Sequence, residues 1–565
     1  MLARADALAA LTEERFDVLV IGGGVTGAGV AFDAASRGYS VAIVERADWA
    51  SGTSSRSSKM VHGGLRYLQN FDLGLVREAL VERQIMVAMA PHLVYPTPFL
   101  VPTLGDERRS LKIGVGLNVY DVMATTRVRQ GRRERGDEEQ WSPDRHRTIP
   151  GEEAAELIPA LEPRDPRDAY LFYDCQTDDA RLVLTILGEA ERFGAVGVNG
   201  VEVAELLDEG GRAAGAECVD RATGERFTVR AANVVNATGV WADRIRPHEI
   251  HDEAEVPWIA PSRGTHITVS TDDLPIGRAA CIVPAGEDRT IFALPWYGRT
   301  LIGTTDREYE GDLDHPSPSA DDIEYLLDAV NSFFGVELDR SRITGAYAGV
   351  RPLISTGDQH KSADISRKAE LYETSSGMLT ITGGKLTTWR RMAKQVVDRL
   401  VEREGREAPC RTHELPLGMP AEAEDLEPPA GLDGALPEGW RDLLAFRYGH
   451  AARHVLRVAA ERPELARPIV EGMPDLLAEV VIAARYEQAR SVADVLLRRT
   501  RLGLVAAPAL RTADDVREVA RVLGGELGWD EAQVESAASD WVREAREEGI
   551  DPAGENRPYA DRGEA

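Results

Sequence analysis

The stretch Asp17-Val18-Leu19-Val20-Ile21-Gly22-Gly23-Gly24-Val25-Thr26-Gly27 decides how the rest of the chain is read. Residues 17–22 are short, apolar, β-branched and stopped by glycine, which predicts a buried strand. Residues 25–37 predict a helix whose small residues Ala28, Gly29 and Ala31 face close neighbours, and Ser40–Glu45 predicts a second buried strand. Strand, helix and strand in this order make a β-α-β unit. In the spacing Gly22-x-Gly24-x-x-Gly27 the first glycine permits a tight turn and the second lets the backbone approach a pyrophosphate. The third lets helix and strand pack closely, and the first helical amides, at Val25 and Thr26, face the phosphates. Glu45 ends the next strand, where a carboxylate accepts hydrogen bonds from ribose hydroxyls and repels a 2′-phosphate, which counts against NADP. The glycines alone do not choose between FAD and NAD.

Outward from this unit lie a Ser-rich loop at 51–58 and an amphipathic helix at about 73–90. Asp178 or Asp179 can cap a helix that runs to about Gly194, and strand-like segments follow at 196–206 and 226–237. Short β-rich runs at 262–305 and 343–354, divided by a helix at about 320–334, predict an antiparallel substrate-binding sheet. A further helix follows a double glycine near 387–400. Residues 419–439, rich in Pro, Gly and acid, predict a linker, and amphipathic helical stretches fill the remainder. The reading is therefore an oxidoreductase body at 1–418, a linker at 419–439 and a helical C-terminal domain at 440–565. Within the body, cofactor-binding segments are expected at about 15–95, 178–250 and 343–400, with the substrate-binding sheet mainly at 255–342.

The formal net charge of −28 excludes nucleic acid as a natural partner, because no global field attracts phosphate. An anionic substrate would need a local cationic pocket inside this repelling envelope. The four cysteines, at 175, 218, 281 and 410, include no C-x-x-C pair, which argues against an iron–sulfur cluster or structural zinc. The first sixteen residues carry charges throughout, and no run of about 20 apolar residues exists. A cytoplasmic body is the expectation.

The segment Thr53-Ser54-Ser55-Arg56-Ser57-Ser58-Lys59-Met60-Val61-His62-Gly63-Gly64-Leu65-Arg66-Tyr67 closely resembles the signature of the FAD-dependent glycerol-3-phosphate dehydrogenases. Six more matches follow in family order: Asp178–Leu182, Asn236–Gly239, Gly264–His266, Ile302–Asp306, Gly349–Leu353 and Gly383–Thr388. The resemblance covers residues 15–400 strongly and the helical region more loosely. It implies a Rossmann-like α/β FAD-binding domain, an inserted antiparallel substrate domain and a helical C-terminal domain. It further implies that sn-glycerol 3-phosphate is oxidised to dihydroxyacetone phosphate at FAD, with quinone as acceptor in membrane-linked members. Thr53, Ser54, Ser55, Ser58, Lys59, His62, Gly63, Gly64 and Leu65 would then lie around the flavin, with Arg46 beside Glu45. The Ala237-Thr238-Gly239 turn would lie against the cofactor, Gly384-Lys385-Leu386-Thr387 would close around its ring, and Val203 would meet the adenine.

Oxidising a secondary alcohol needs a carbon hydrogen aimed at the flavin, an acceptor for the hydroxyl proton and cations for the phosphate. The matched motifs offer Arg66, Arg351 and Lys385 as cations, with Tyr67 and Thr305 as hydroxyl donors. Arginine suits phosphate because its planar fork donates two parallel bonds. Lys385 could serve the phosphate or the reduced flavin. His266 is read as the general base and His62 as its rival beside the flavin, against the plainer alternative of histidines that brace loops. Arg351 stands in an apolar run beside Pro352, where a buried cation needs an anion.

Segment 99–135 mixes apolar residues with Arg108, Arg109, Lys112, Arg127, Arg129, Arg132, Arg133 and Arg135, as in proteins held at an anionic membrane surface. The competing reading is a solvated helical hairpin. The helical region carries no cysteine after Cys410, unlike the catalytic chain of three-subunit relatives, which favours the single-chain, quinone-linked type at the inner face of the cell membrane. Its role reads as a helical cap or a homodimer contact. Three other functions compete: a glycerol-3-phosphate oxidase using oxygen, an FAD-dependent amine or amino-acid oxidase, and a non-catalytic flavin-binding redox protein.

Overall fold

A computed structural model describes residues 3–64, 72–105, 110–135, 145–245, 258–286, 289–355, 369–432 and 434–552. The strand Arg15–Ile21, buried throughout Val18–Ile21, pairs in parallel with Arg226–Asn236 on one side and Val41–Glu45 on the other. Val196–Asn199 extends this parallel core beyond Val41–Glu45, and Leu379–Gly383 extends it beyond Arg226–Asn236. Antiparallel strands at Ala369–Glu373, Ala213–Asp220 and Val201–Asp208 complete the sheet as described. The strand order reverses at Arg15–Ile21, so a crevice opens at its C-terminal end, where sheets of this kind bind ligands.

The helix Val25–Ser36 follows at once and is buried on almost every side. It packs on the helices Asp179–Arg192 and Trp389–Glu404. Gly29 has no alternative there, since a Cβ would stand 2.6 Å from the Trp389 ring. Asp178 caps the helix Asp179–Arg192, its Oδ1 accepting from the Arg181 amide at 3.0 Å.

The second sheet is built around Trp258–Ser270, which pairs antiparallel with Ile343–Ser355 on one side and with Arg299–Gly303 and Arg307–Glu308 on the other. It continues through Thr290–Trp296 and Ala280–Pro284 to Val94–Leu104 and Pro166–Thr177. The helix Ala320–Phe334 covers it with Ile323, Leu326, Leu327, Val330 and Phe334. Cofactor-binding residues were expected over 343–400, but Ile343–Ser355 belongs to this second sheet. The sheet also extends well outside 255–342, because Val94–Leu104 and Pro166–Thr177 join it from afar.

The basic segment 99–135 is no hairpin of helices. Its start finishes the strand Val94–Leu104, and the helix begins only at Leu111. Arg108 and Arg109 lie outside the described residues. Residues 419–439 are no loose tether either, since Leu426 and Leu432 are buried in the C-terminal core. That core, around Leu444, Val480 and Trp541, runs on into Phe99, Leu294 and Trp296 of the second sheet. Buried ion pairs bind the helical region to the loop after Val41–Glu45 and to the helix Asp179–Arg192. Arg499 meets Asp48 through two bonds of 2.6 and 2.8 Å, and Arg181 meets Glu487.

Candidate active site

A cavity of about 560 Å³ opens at the C-terminal end of Arg15–Ile21, and both sheets wall it. Gly22 has φ +109°, and a Cβ there would sit 2.7 Å from the Ala237 carbonyl oxygen. A Cβ on Gly27 would lie 1.9 Å from the Gly22 oxygen, so Gly27 is a packing glycine and not part of the wall. Gly22, Gly24, Val25 and Thr26 line the cavity, and Ser54 Oγ accepts from the Val25 amide at 2.9 Å. Glu45 lines it as well, its two oxygens accepting from the Gly23 and Ala47 amides at 2.7 and 2.8 Å. Burial pushes this carboxyl up against the pull of those amides. Arg46 lines the wall and holds Asp314 at 2.5 Å, and Val203 lies nearby.

Thr53, Ser54, Ser58, His62 and Gly64 line the cavity, as do Ala237, Thr238, Gly239, Gly384, Lys385, Leu386 and Thr387. Thr387 Oγ1 meets the His62 amide at 3.2 Å, fastening the two segments together. Ser55, Lys59 and Gly63 were expected against the flavin, but they stand behind the wall. Lys59 Nζ is fully buried, donating to Asp179 at 2.9 and 3.0 Å and to the Ser55 carbonyl at 2.6 Å. Burial lowers its pKa to about 8 despite Asp179. The Gly63 amide donates to Tyr120 Oη at 2.9 Å. Leu65, Arg66 and Tyr67 lie outside the described residues.

The second sheet contributes Gly264, His266, Thr304, Asp306 and Arg351. The His266 ring stacks on Tyr347 with centroids 4.7 Å apart, and its Nε2 shares a hydrogen bond of 2.9 Å with Ser58 Oγ. Burial, then the charges of Lys59 and Arg351, hold its pKa well below the ordinary 6.5, so the ring is neutral at neutral pH. Arg351 donates to Asp306 at 3.2 Å and to the Thr304 hydroxyl and Thr305 carbonyl, each at 3.1 Å. Thr305 is not the expected substrate donor. It is buried outside the wall, its hydroxyl accepting from the Thr265 amide at 2.9 Å.

Sequence reasoning singled out neither Arg56, Ser57 and Trp241 nor Phe292 and Asp306, all of which line the cavity. Arg56, Ser57 and Asp306 lie inside matched motifs, so their signal was present but unassigned. Trp241 and Phe292 carry no local signal and are brought in by the fold.

A mixed sheet with a parallel core and a glycine cradle at its reversal point, sharing one cavity with a largely antiparallel sheet, defines a dinucleotide-dependent oxidoreductase. The family described as FAD dependent oxidoreductase matches residues 17–399, and the C-terminal domain of alpha-glycerophosphate oxidase matches residues 378–534. The chain is 38% identical over 556 residues to glycerol-3-phosphate dehydrogenase 2 of Mycobacterium tuberculosis, covering 97% of this chain and 91% of that one. It is 40% identical over 510 residues to glycerol-3-phosphate dehydrogenase 1 of the same organism, covering 86% and 92%. The solved glycerol-3-phosphate dehydrogenase of Bacillus halodurans, complexed with FAD, superposes with a TM-score of 0.73 at 28% identity, covering 96% of this chain and 97% of that one. The chain belongs to the FAD-dependent glycerol-3-phosphate dehydrogenase family. Its cofactor is FAD, and the residues fit it: Gly22 and Gly24 bring bare backbone to the cavity wall at the start of a helix, where a pyrophosphate binds, and Glu45 keeps lone pairs for ribose hydroxyls.

Proposed function

We propose that the protein oxidises sn-glycerol 3-phosphate to dihydroxyacetone phosphate and delivers the electrons to a quinone at the inner face of the cell membrane. The observation that carries this reading is the shared cavity: a neutral histidine and a fixed arginine face the same space as the glycine cradle. When bound, FAD supplies the hydride acceptor. Arg351, anchored on Asp306 and Thr304, places its positive charge at the cavity wall for the substrate phosphate. Lys385, which also lines the cavity, adds a second cation. His266 Nε2, directly or through Ser58 Oγ, takes the hydroxyl proton as the carbon loses hydride. A bound phosphate offsets the Arg351 charge that depresses His266, so substrate binding strengthens its own base.

Membrane attachment is supported by the helix Leu111–Arg135. Leu117, Tyr120 and Ala124 pack inward, while Leu111, Val115 and Val122 are 81%, 65% and 61% exposed along the other side. No described helix is long and apolar enough to cross a membrane, which suits a peripheral mode. Anaerobic titration with glycerol 3-phosphate tests the chemistry: the flavin should bleach and recover its colour with a quinone analogue. Stoichiometric peroxide on reoxidation by oxygen would identify an oxidase, and absence of bleaching would reject the substrate.

A further inference from the structure

Behind the cavity wall four charges are sealed from water: Lys59, Asp178, Asp179 and Arg501. Three belong to the FAD-binding body, and the fourth arrives from the C-terminal helical region. Asp179 Oδ2 accepts from the Ser57 amide at 3.0 Å and the Ser57 hydroxyl at 2.7 Å, and Ser57 lines the cavity. Asp179 also holds Lys59, which reaches back to the Ser55 carbonyl. Arg501 donates to Asp179 and spans to Asp178 at 3.0 to 3.2 Å, while its Nη1 bonds the Leu497 carbonyl at 2.7 Å. Tyr297 Oη, from the second sheet, donates to Asp178 Oδ2 at 2.8 Å. Two cations balance two carboxylates, and one carboxylate grips a loop that lines the cavity. Without Arg501 the cluster would carry an uncompensated buried charge, and Asp179 would lose the partner that orients it.

We propose that Arg501 is a positioning residue for FAD: through Asp179 it sets the Ser57–Ser58 segment in the conformation that receives the cofactor. The competing role is plain adhesion between the helical region and the body, which the buried Arg181–Glu487 pair also supplies without either residue lining the cavity. The inference rests on FAD as the cofactor and not on the substrate, so FAD binding is measured with no glycerol 3-phosphate present. Its failure would leave the proposed reaction standing.

The experiment titrates FAD into deflavinated full-length protein, following flavin fluorescence, the bound-flavin absorption spectrum and the thermal midpoint. Arg501→Lys keeps the charge but loses the fork, and should weaken FAD binding about tenfold, as loss of one charged hydrogen bond does. Ser57→Ala should act in the same direction. The double variant should lose less than the product of the two, because both act through Asp179. Glu487→Gln should lower the thermal midpoint yet keep FAD affinity within about twofold, since adhesion alone does not shape the cavity. If Arg501→Lys does not fold, Asp178→Asn/Arg501→Gln balances the charge and should still bind FAD weakly. Multiplying losses, equal weakening by Glu487→Gln, or wild-type FAD affinity in the Arg501 variants would each overturn the proposal.

Discussion

Arg351 and His266 stand on neighbouring strands of one sheet, and their register separates anchoring from proton transfer. Arg351→Ala should raise KM for glycerol 3-phosphate roughly 100-fold, the scale of a truncated charge pair. Its flavin-to-protein absorbance ratio should match the parent, because Arg351 is anchored on Ser262, Thr304, Thr305 and Asp306 of the second sheet, away from the Gly22–Thr26 turn. His266→Asn should instead lower kcat by about 100- to 10,000-fold with little change in KM. Because burial depresses His266, the ring of the free enzyme stays proton-accepting as pH falls through 6.5, and the acid limb of the kcat/KM profile should inflect below that value. At this scale the sequence motifs mark neighbourhoods more reliably than atoms. Thr304 and Thr305 share one motif, yet the first faces the cavity and the second turns inward to the Thr265 amide. Which of two adjacent residues faces a ligand is settled by backbone direction, which a motif does not carry. Lys59 misled for the same reason.

Among elements, the first β-α-β unit was readable because every local signal agreed: a buried strand, a glycine turn and a helix of small residues. The second sheet was half hidden. Pro96, Pro98 and Pro102 obscure the strand Val94–Leu104, which gets most of its pairing from Pro166–Thr177 some seventy residues away. The linker reading failed because glycine and proline announce turns, while two leucines decide whether those turns are buried. The helix Leu111–Arg135 carries its own prediction. Val115→Glu/Val122→Glu should shift the protein from anionic lipid vesicles to the supernatant in a flotation assay, with FAD content unchanged. Retention on vesicles would remove this face from the membrane contact.

At the scale of the whole molecule, the helix Glu531–Glu548 ends on Glu548, which holds Arg56 in the cavity wall through a two-bond fork and meets His315 at 3.2 Å. Burial pushes this carboxyl up, but Arg56 and His315 outweigh it and hold it at about 2. A carboxyl depressed from its ordinary 4.5 contributes stability that is complete above that value and lost as pH falls toward 2. The contribution is on the order of 3 kcal/mol. Glu548→Gln should therefore lower Tm at pH 7 and flatten the Tm decline between the two pKa values, as scanning calorimetry would read.

The cluster of Lys59, Asp178, Asp179 and Arg501 also sets an order in time. A ribosome makes the loop that meets the cofactor hundreds of residues before the arginine that completes its support. N-terminal portions fold first during synthesis, so the nascent loop must wait with an unbalanced carboxylate beneath it. With Arg501 in the proposed positioning role, tight capture of the vitamin-derived cofactor becomes a late event in biogenesis, reserved for chains that have been translated past that residue.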